Sequence, residues 1–331
     1  MTLLSRTAAN LPPVPLPGLS WAVRRWLRRS FGDPGLDADA PRGDPGLFGP
    51  DSPSWRVFSD AASIVGGVRS LLVQLTHPLA MAGVADHSRY LDEPLERLQH
   101  TSAYFAQITF GSTAEALAVS RRVQVLHQRV VGRAPDGRPY DASDPELLSW
   151  VSVAATASFL RSDRDFGTRP LDQTRRDAFV AEQSRAAALL DARVDLDALS
   201  AGPDPSGAMR RGEVSLPLIT DGWLPTSEAA LQDRLQAFQP QLAVGHQGRT
   251  CLKFLLWPPV DPVLRLGYLP TLAGAVGSLE PSTWRLLGLP LSDPAAAVMR
   301  AQSEVALVAL RTALARSSPS ARQAAERARA A

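Results

Sequence analysis

STAEALAVSRRVQVLHQRVVG, residues 112–132, carries the clearest helical pattern in this sequence. Ser112 and Glu115 have the spacing of a capping box, in which each side chain bonds the backbone N–H of the other residue at the start of a helix. Gly132 then marks a stop, because glycine is common just past a helix C-terminus. The stretch therefore predicts a helix of about five turns.

The segments on either side have the same character. From about residue 54 onward, apolar residues recur at intervals of three and four, and strict alternation is rare. Residues 63–88 are apolar on nearly all sides, which indicates a buried helix, interrupted near His77 and Pro78. Residues 134–143 predict a turn-rich loop. We predict an all-α fold, with further helices at 94–109, 145–162, 171–192, 226–238, 246–257 and 294–315.

The chain divides into three parts by composition. Residues 1–47 form an extended arm rich in proline and glycine, with a short, arginine-bearing amphipathic helix at 21–31. We expect this helix to dock onto the body of the protein or onto a second copy of the chain in a homodimer; a membrane surface is the alternative. Residues 48–316 make one large multi-helix domain, and the Ala/Arg-rich tail 317–331 is expected to fray.

Composition excludes several classes of protein. With 331 residues, 45% of them hydrophobic, and a net charge of +2, the chain is globular. The single cysteine, Cys251, excludes a disulfide scaffold and a zinc ribbon. No apolar run is long enough for a membrane span and no signal peptide is evident, so we expect a soluble, cytoplasmic protein. Nucleotide-binding and protease motifs are missing, and the scattered arginines do not make a nucleic-acid groove.

Four of the five histidines, His77, His87, His100 and His127, lie close together in the sequence on or beside apolar helices. Neutral imidazole is a common ligand for iron and other transition metals. His127 projects from a stripe of valines, a setting that would suit a flat apolar cofactor needing one nitrogen ligand. The cluster is the main clue to chemistry in the sequence.

Each histidine also has a purely structural interpretation. His127 can be a core histidine bonded to a backbone carbonyl, and His100 can pair with Glu96 one turn earlier. His77 precedes a proline, where a capping role is common, and His87 fits a polar helix junction. The residues alone leave both interpretations open.

Arg97, His100 and Thr101 have the i, i+3, i+4 spacing that places side chains on one face of a helix. This polar face lies at the head of an otherwise apolar stretch, RLQHTSAYFAQITFG, residues 97–111. Such a face is either solvated or directed at a ligand.

Five stretches in series resemble the MpaB-like oxygenases, a family that includes the latex-clearing proteins. Together with weaker matches they cover most of residues 48–290, in the family's order. The resemblance implies an all-helical fold that, in the latex-clearing branch, holds a b-type haem and uses it to activate dioxygen. The stretches are GPDSPSWRVFSD, GGVRSLLVQLTHPLAMAGVADHSRY, RLQHTSAYFAQITFGSTAEA, RVQVLHQRVVG and DPELLSWVSVAATASFL.

The same resemblance implies roles for individual residues. His127 matches the histidine that ligates the haem iron from the proximal side. Arg97, His100 and Thr101 match the helix face that covers the distal side, so these three are the expected catalytic residues, and His100 is a second candidate iron ligand. Arginine suits the haem propionates because its guanidinium pairs with a carboxylate in bidentate fashion. The expected cofactor-binding residues are His127, Arg97, Arg121, Arg122, His77 and His87.

Three positions depart from the family pattern. His100 stands where the family has lysine, Gln124 where it has arginine, and Ser152 where many relatives have histidine. Because all three belong to the expected pocket, rubber or another polyisoprenoid is not assumed as substrate.

The combined prediction is a haem-b-dependent oxygenase that uses dioxygen to act on an apolar, unsaturated small molecule. Two alternatives stay open. One is a non-catalytic helical protein that binds an apolar ligand or a partner. The other is an electron-transfer or sensor protein with both His100 and His127 on the haem iron.

Overall fold

The computed structural model describes residues 17–88, 94–313 and 318–329. These residues form seventeen α-helices and one small β-hairpin, which confirms the predicted all-α fold class. In chain order the elements are α1 Pro17–Phe31, α2 Pro53–Ser59, α3 Ala62–Gln74, α4 Pro78–His87, α5 Pro94–Phe110, α6 Thr113–His127, β1 Val131–Arg133, β2 Pro139–Asp141, α7 Pro145–Phe166, α8 Gln173–Ala188, α9 Leu196–Ser200, α10 Pro205–Arg210, α11 Pro217–Thr220, α12 Glu228–Phe238, α13 His246–Leu256, α14 Pro262–Gly277, α15 Pro281–Leu287, α16 Asp293–Ala313 and α17 Pro319–Arg329.

The core is built around α3, which is buried along most of its length, as its apolar sequence predicts. α7 packs along one side of α3, and Gly66 allows Phe159 to approach the α3 backbone closely. α14 packs against another side of α3 and also against α16. Burial of these apolar faces is the main favourable contribution to folding.

α6 begins as predicted. The Ser112 Oγ accepts a hydrogen bond from the Glu115 N–H at 3.2 Å, and the Glu115 carboxylate accepts one from the Ser112 N–H at 2.7 Å. The helix ends at His127, however, and not at Gly132. The predicted C-terminus was therefore wrong by about one turn.

A β-hairpin replaces the end of that predicted helix and part of the predicted loop at 134–143. Val131–Arg133 pairs antiparallel with Pro139–Asp141. β-branched residues before Gly132 favour extended backbone, and Gly137, with φ of 87°, adopts the left-handed conformation within the connecting turn. The hairpin brings β2 next to α4.

Most other predicted helices are present within a few residues of their expected bounds, and the break at His77 and Pro78 is confirmed. α14 was missed, because the prolines at 258, 259, 262 and 270 were interpreted as connections. In the structure Pro262 occupies the first turn of α14, where proline is tolerated, and Pro270 lies inside the helix. Among the described residues, none of the helices has the length and apolar character required to cross a bilayer.

The two ends of the described chain both pack onto the body. In α1, the Trp26 Nε1–H donates to the Leu264 carbonyl at 3.3 Å, and Arg29 pairs with Asp261 at 3.0 Å. The tail was expected to fray, but residues 318–329 contain the docked helix α17. Its Arg327, 9% exposed, donates to the Gly111 carbonyl at 3.0 Å. Ala321, Ala324 and this arginine are buried against the body, and they hold a segment whose composition predicted fraying.

Candidate functional site

A cavity of about 590 Å³ lies between α4, α5, α6, α7, α8 and the hairpin. Four residues predicted for the site line it: His87, His100, Thr101 and His127. Most of the remaining lining is apolar, from residues such as Val84, Phe105, Ile108, Leu148, Val151 and Leu190. A cavity of this size is in the range of pockets for small molecules and cofactors.

His127 is the last residue of α6, so its ring lies where the helix gives way to the hairpin. Its Nδ1 is buried and has no hydrogen-bond partner. Burial lowers the pKa of His127 below its ordinary value, against the opposing effect of the Asp141 carboxylate. The ring is therefore neutral at pH 7, which is the form that ligates a metal. Buried polar atoms nearly always have a partner, so the Nδ1 of His127 is an exception to that rule in a residue that lines the cavity.

α5 supplies one wall of the cavity. His100 and Thr101 line it, and Tyr104, Phe105 and Ile108 continue the same face along the helix. His100 is exposed at the edge of the cavity, and Thr101 is half-buried. Burial raises the pKa of Tyr104, so its hydroxyl stays protonated. The Arg97 side chain lies outside the described residues, although the residue belongs to α5.

A polar chain of three side chains forms the wall beside the hairpin. The Tyr140 hydroxyl donates to the Asp86 carboxylate at 2.7 Å, and His87 Nε2 lies 3.1 Å from the same hydroxyl oxygen. Burial and the Asp86 carboxylate raise the pKa of Tyr140 to about 12. Because the hydroxyl proton is directed at Asp86, the Tyr140 oxygen is placed to accept a hydrogen bond from His87.

Tyr140 was missed in the sequence. Its ring packs over Gly132, where a Cβ would collide with the Tyr140 hydroxyl. The only sequence signal was one aromatic residue between Pro139 and Asp141. Its place at the cavity depends on the pairing of β1 with β2, which the predicted loop did not include.

His77 lies away from the cavity lining. It caps α4, with Nδ1 accepting from the Ala80 N–H at 3.3 Å and Nε2 lying 3.3 Å from Gln241 Oε1. Its ring is buried against Trp150, with centroids 5.4 Å apart. These contacts match the capping interpretation of this histidine.

The polar residues of α6 that precede His127 also bond elsewhere. Arg121 forms an ion pair with Asp197, and Arg122 donates to the Gln107 side chain at 2.8 Å. Neither arginine is among the residues that line the cavity. Gln124, which stands at the family's arginine position, donates to carbonyl groups that follow the end of α8, including those of Leu189 at 2.9 Å and Asp191 at 2.7 Å.

The sequence did not predict that polar residues of α7 and α8 would line the cavity together. Ser152, Thr156 and Gln183 line the cavity. The Gln183 amide donates to Ser54 Oγ at 2.9 Å, which fixes its orientation. Ser152 occupies the position where the resemblance leads one to expect a histidine, so at this point the cavity is lined by a smaller, neutral group.

Among the described residues there is no group of three or more His, Cys, Asp or Glu side chains placed to hold a metal ion. The imidazoles at the cavity instead belong to separate elements, α4, α5 and α6. Each of these helices therefore presents one imidazole to the cavity, from His87, His100 and His127.

No curated protein and no solved structure matches the chain. A family model described as "ER-bound oxygenase mpaB/B'/Rubber oxygenase, catalytic domain" matches residues 55–315. The match spans α3 to α16 and every element that lines the cavity. The chain therefore belongs to the mpaB/rubber oxygenase catalytic-domain family.

Proposed function

We propose that the protein is a haem-b-dependent oxygenase that acts on an apolar, unsaturated small molecule in the cytoplasm, with His127 as the iron ligand. The observation that carries the proposal is the His127 ring, whose buried Nδ1 has no partner and which lines a cavity of about 590 Å³. Membership of an oxygenase family supports the same reaction class.

The residues present fit a haem. His127 is neutral because burial lowers its pKa, and it is the last residue of α6, so the helix carries the imidazole to the cavity. The apolar side chains that α5 and α7 contribute to the lining suit the apolar face of a porphyrin. Haem bound here would supply the iron centre that activates dioxygen.

The protein's own groups would orient the reactants and handle protons. Apolar side chains from α4, α5 and α7 exclude water and hold an apolar substrate. Thr101 Oγ1 can hold or pass a proton at the α5 wall, and His100 can donate a hydrogen bond there. His87, Tyr140 and Asp86 hold a further proton chain that reaches the protein surface.

A second candidate is a haem protein with both His127 and His100 on the iron, used for electron transfer or sensing. The observation that favours it is that both imidazoles line one cavity. Carbon monoxide separates the two, because it would bind readily to a haem held by His127 alone but would have to displace His100 from a haem held by both histidines.

Haem titration of the full-length protein, followed by ultraviolet-visible spectroscopy, tests the proposal. We expect a Soret band in the wild type, loss of the band in His127→Ala, and a band that is shifted at most in His100→Ala. His246→Ala is the matched control, because His246 is an exposed histidine at the start of α13. A colourless, folded wild type whose melting temperature does not respond to haem would overturn the proposal in favour of a non-catalytic binding protein.

Activity is the second arm of the test. A haem-loaded wild type should consume dioxygen when an unsaturated apolar compound is supplied, and the His127→Ala variant should not. Low-spin spectra that do not change with carbon monoxide would instead support the electron-transfer alternative.

A further inference from the structure

A second, smaller cavity of about 150 Å³ adjoins the site. It lies between α1, α3, α13 and α14, and five residues line both cavities: Gln74, Ala80, Val84, Thr101 and Val151. Because these residues are shared, the two cavities have a common wall, and Thr101 is one of the residues in it.

The lining of the smaller cavity is almost wholly hydrocarbon. Three of its larger polar side chains bond to the protein: Tyr268 donates to the Leu255 carbonyl at 2.8 Å, Gln74 donates to Ser70 at 2.7 Å, and the Trp26 indole donates to the Leu264 carbonyl of α14 at 3.3 Å. A polar ligand would lose its hydration here without compensation, whereas a hydrocarbon group would gain from burial.

The volume limits the size of that group. A dry cavity of about 150 Å³ lined by aliphatic and aromatic side chains is known to hold a molecule the size of benzene. The pocket therefore accepts one short stretch of hydrocarbon and leaves the rest of a ligand in the larger cavity.

α1 closes the far end of the pocket. Trp26 and Phe31 line it and contact each other edge to face, with centroids 5.9 Å apart. The Trp26 indole lies directly on Gly267, where a Cβ would collide with the ring. α1 precedes the residues that match the family model, so this wall belongs to the chain's own N-terminal segment.

We propose that the smaller cavity is the subsite for the hydrocarbon tail of the substrate, and that Trp26 limits the length of the tail. The inference rests on the proposed function in that the larger cavity holds the reacting end of the same molecule. The substrate is then a compound with an unsaturated end near Thr101 and an apolar tail that runs toward α1.

Calorimetric titration of the full-length protein, as purified, with straight-chain primary alcohols of increasing length tests the subsite. In the wild type, affinity should rise by about fourfold per methylene while the tail fills the pocket, and then stop rising. Trp26→Ala should increase the chain length at which the affinity stops rising, which we call the break. Trp21→Ala is the matched control, because Trp21 is on the same helix but 60% exposed and outside the pocket lining.

A variant that reduces the volume of the smaller cavity provides a second test in case Trp26→Ala does not fold. Val260→Trp, in the loop before α14, adds volume to the pocket lining and should move the break to shorter chains. The same break in the wild type and the variants, or no break at all, would overturn the subsite. The alcohol titration does not measure haem binding. Its failure would therefore overturn the subsite but not the haem proposal, and a missing Soret band would overturn the haem proposal but not the subsite.

Discussion

Asp163 on α7 is a carboxyl group that folding withdraws from water. It is 5% exposed, and its Oδ2 accepts the Leu171 N–H at 2.8 Å. Burial raises the pKa of Asp163 to about 6, with a further contribution from Asp60. The native protein therefore keeps this proton at a pH at which an unfolded chain, with an ordinary carboxyl pKa of about 4, has lost it.

Between about pH 4 and pH 6 the native state binds more protons at Asp163 than the unfolded state does. The free energy of unfolding should fall as the pH rises through this window, by about 3 kcal/mol from this group. Asp163→Asn keeps an oxygen for the Leu171 N–H and should flatten the slope, as measured by urea unfolding at several pH values. The exposed Asp233→Asn is the control, and equal slopes in both variants would contradict the prediction.

At the residue level, the sequence was informative where a role depends on position along one helix. His100 and Thr101 share a face of α5 and His127 follows from the register of α6, so periodicity and resemblance were enough to select them. Tyr140 was not predictable, because its place depends on the pairing of two strands. Arg121 was a plausible pocket residue by spacing, but its partner Asp197 comes from a distant helix, and no periodicity reveals such a contact.

Among the elements, the pair α3 and α7 determines the shape of the core. A Cβ at Gly66 would lie 2.7 Å from Phe159 Cδ1 and 3.2 Å from the Phe159 Cα, whereas a Cβ at Gly67 would have nothing within 4 Å. The two adjacent glycines thus look alike in the sequence but have opposite structural roles.

Gly66→Ala should destabilise the protein by about 1–3 kcal/mol, because the added methyl group forces the two helices apart. Gly67→Ala is the matched control and should be neutral or stabilising by up to about 1 kcal/mol, because alanine is the better helix former. Thermal unfolding of both variants measures the difference. If Gly66→Ala were as stable as Gly67→Ala, the close contact between α3 and α7 would not be real.

Helix positions were largely predictable, and the errors have identifiable causes. Capping residues and apolar periodicity located α5, α6 and α7 because these signals are local. α14 was missed because its prolines were taken as breaks, although one begins the helix and the other is tolerated within it. The C-terminus of α6 was predicted too late in the chain, because Val131 pairs with Asp141 in the hairpin. Helix periodicity carries no information about such a strand pairing.

At the scale of the whole molecule, Arg327 joins the C-terminal helix to two distant segments. Its side chain donates to the Asp44 carbonyl and to the Gly111 carbonyl, each at 3.0 Å, and its own carbonyl accepts the Gly43 N–H at 2.9 Å. One buried side chain therefore connects the segment after α1, the end of α5 and α17.

Arg327→Met should lower the free energy of unfolding by about 1–3 kcal/mol, since the buried carbonyls lose a charged donor. Arg329→Met, in the exposed last position of α17, is the control and should have little effect. Chemical unfolding, together with limited proteolysis of the segment around Asp44, measures the loss. Equal midpoints and equal cleavage rates in the two variants would show that α17 does not hold this segment.

The residues that line the two cavities come from very different spans of the chain. Those of the larger cavity all lie between Gln74 and Leu190, whereas those of the smaller one extend from Trp26 to Thr271. Contacts between nearby segments form faster than contacts that close long loops. We therefore expect the histidine-lined walls to assemble while the polypeptide is still being synthesised, and the compartment behind α1 to be sealed only after translation has passed α14.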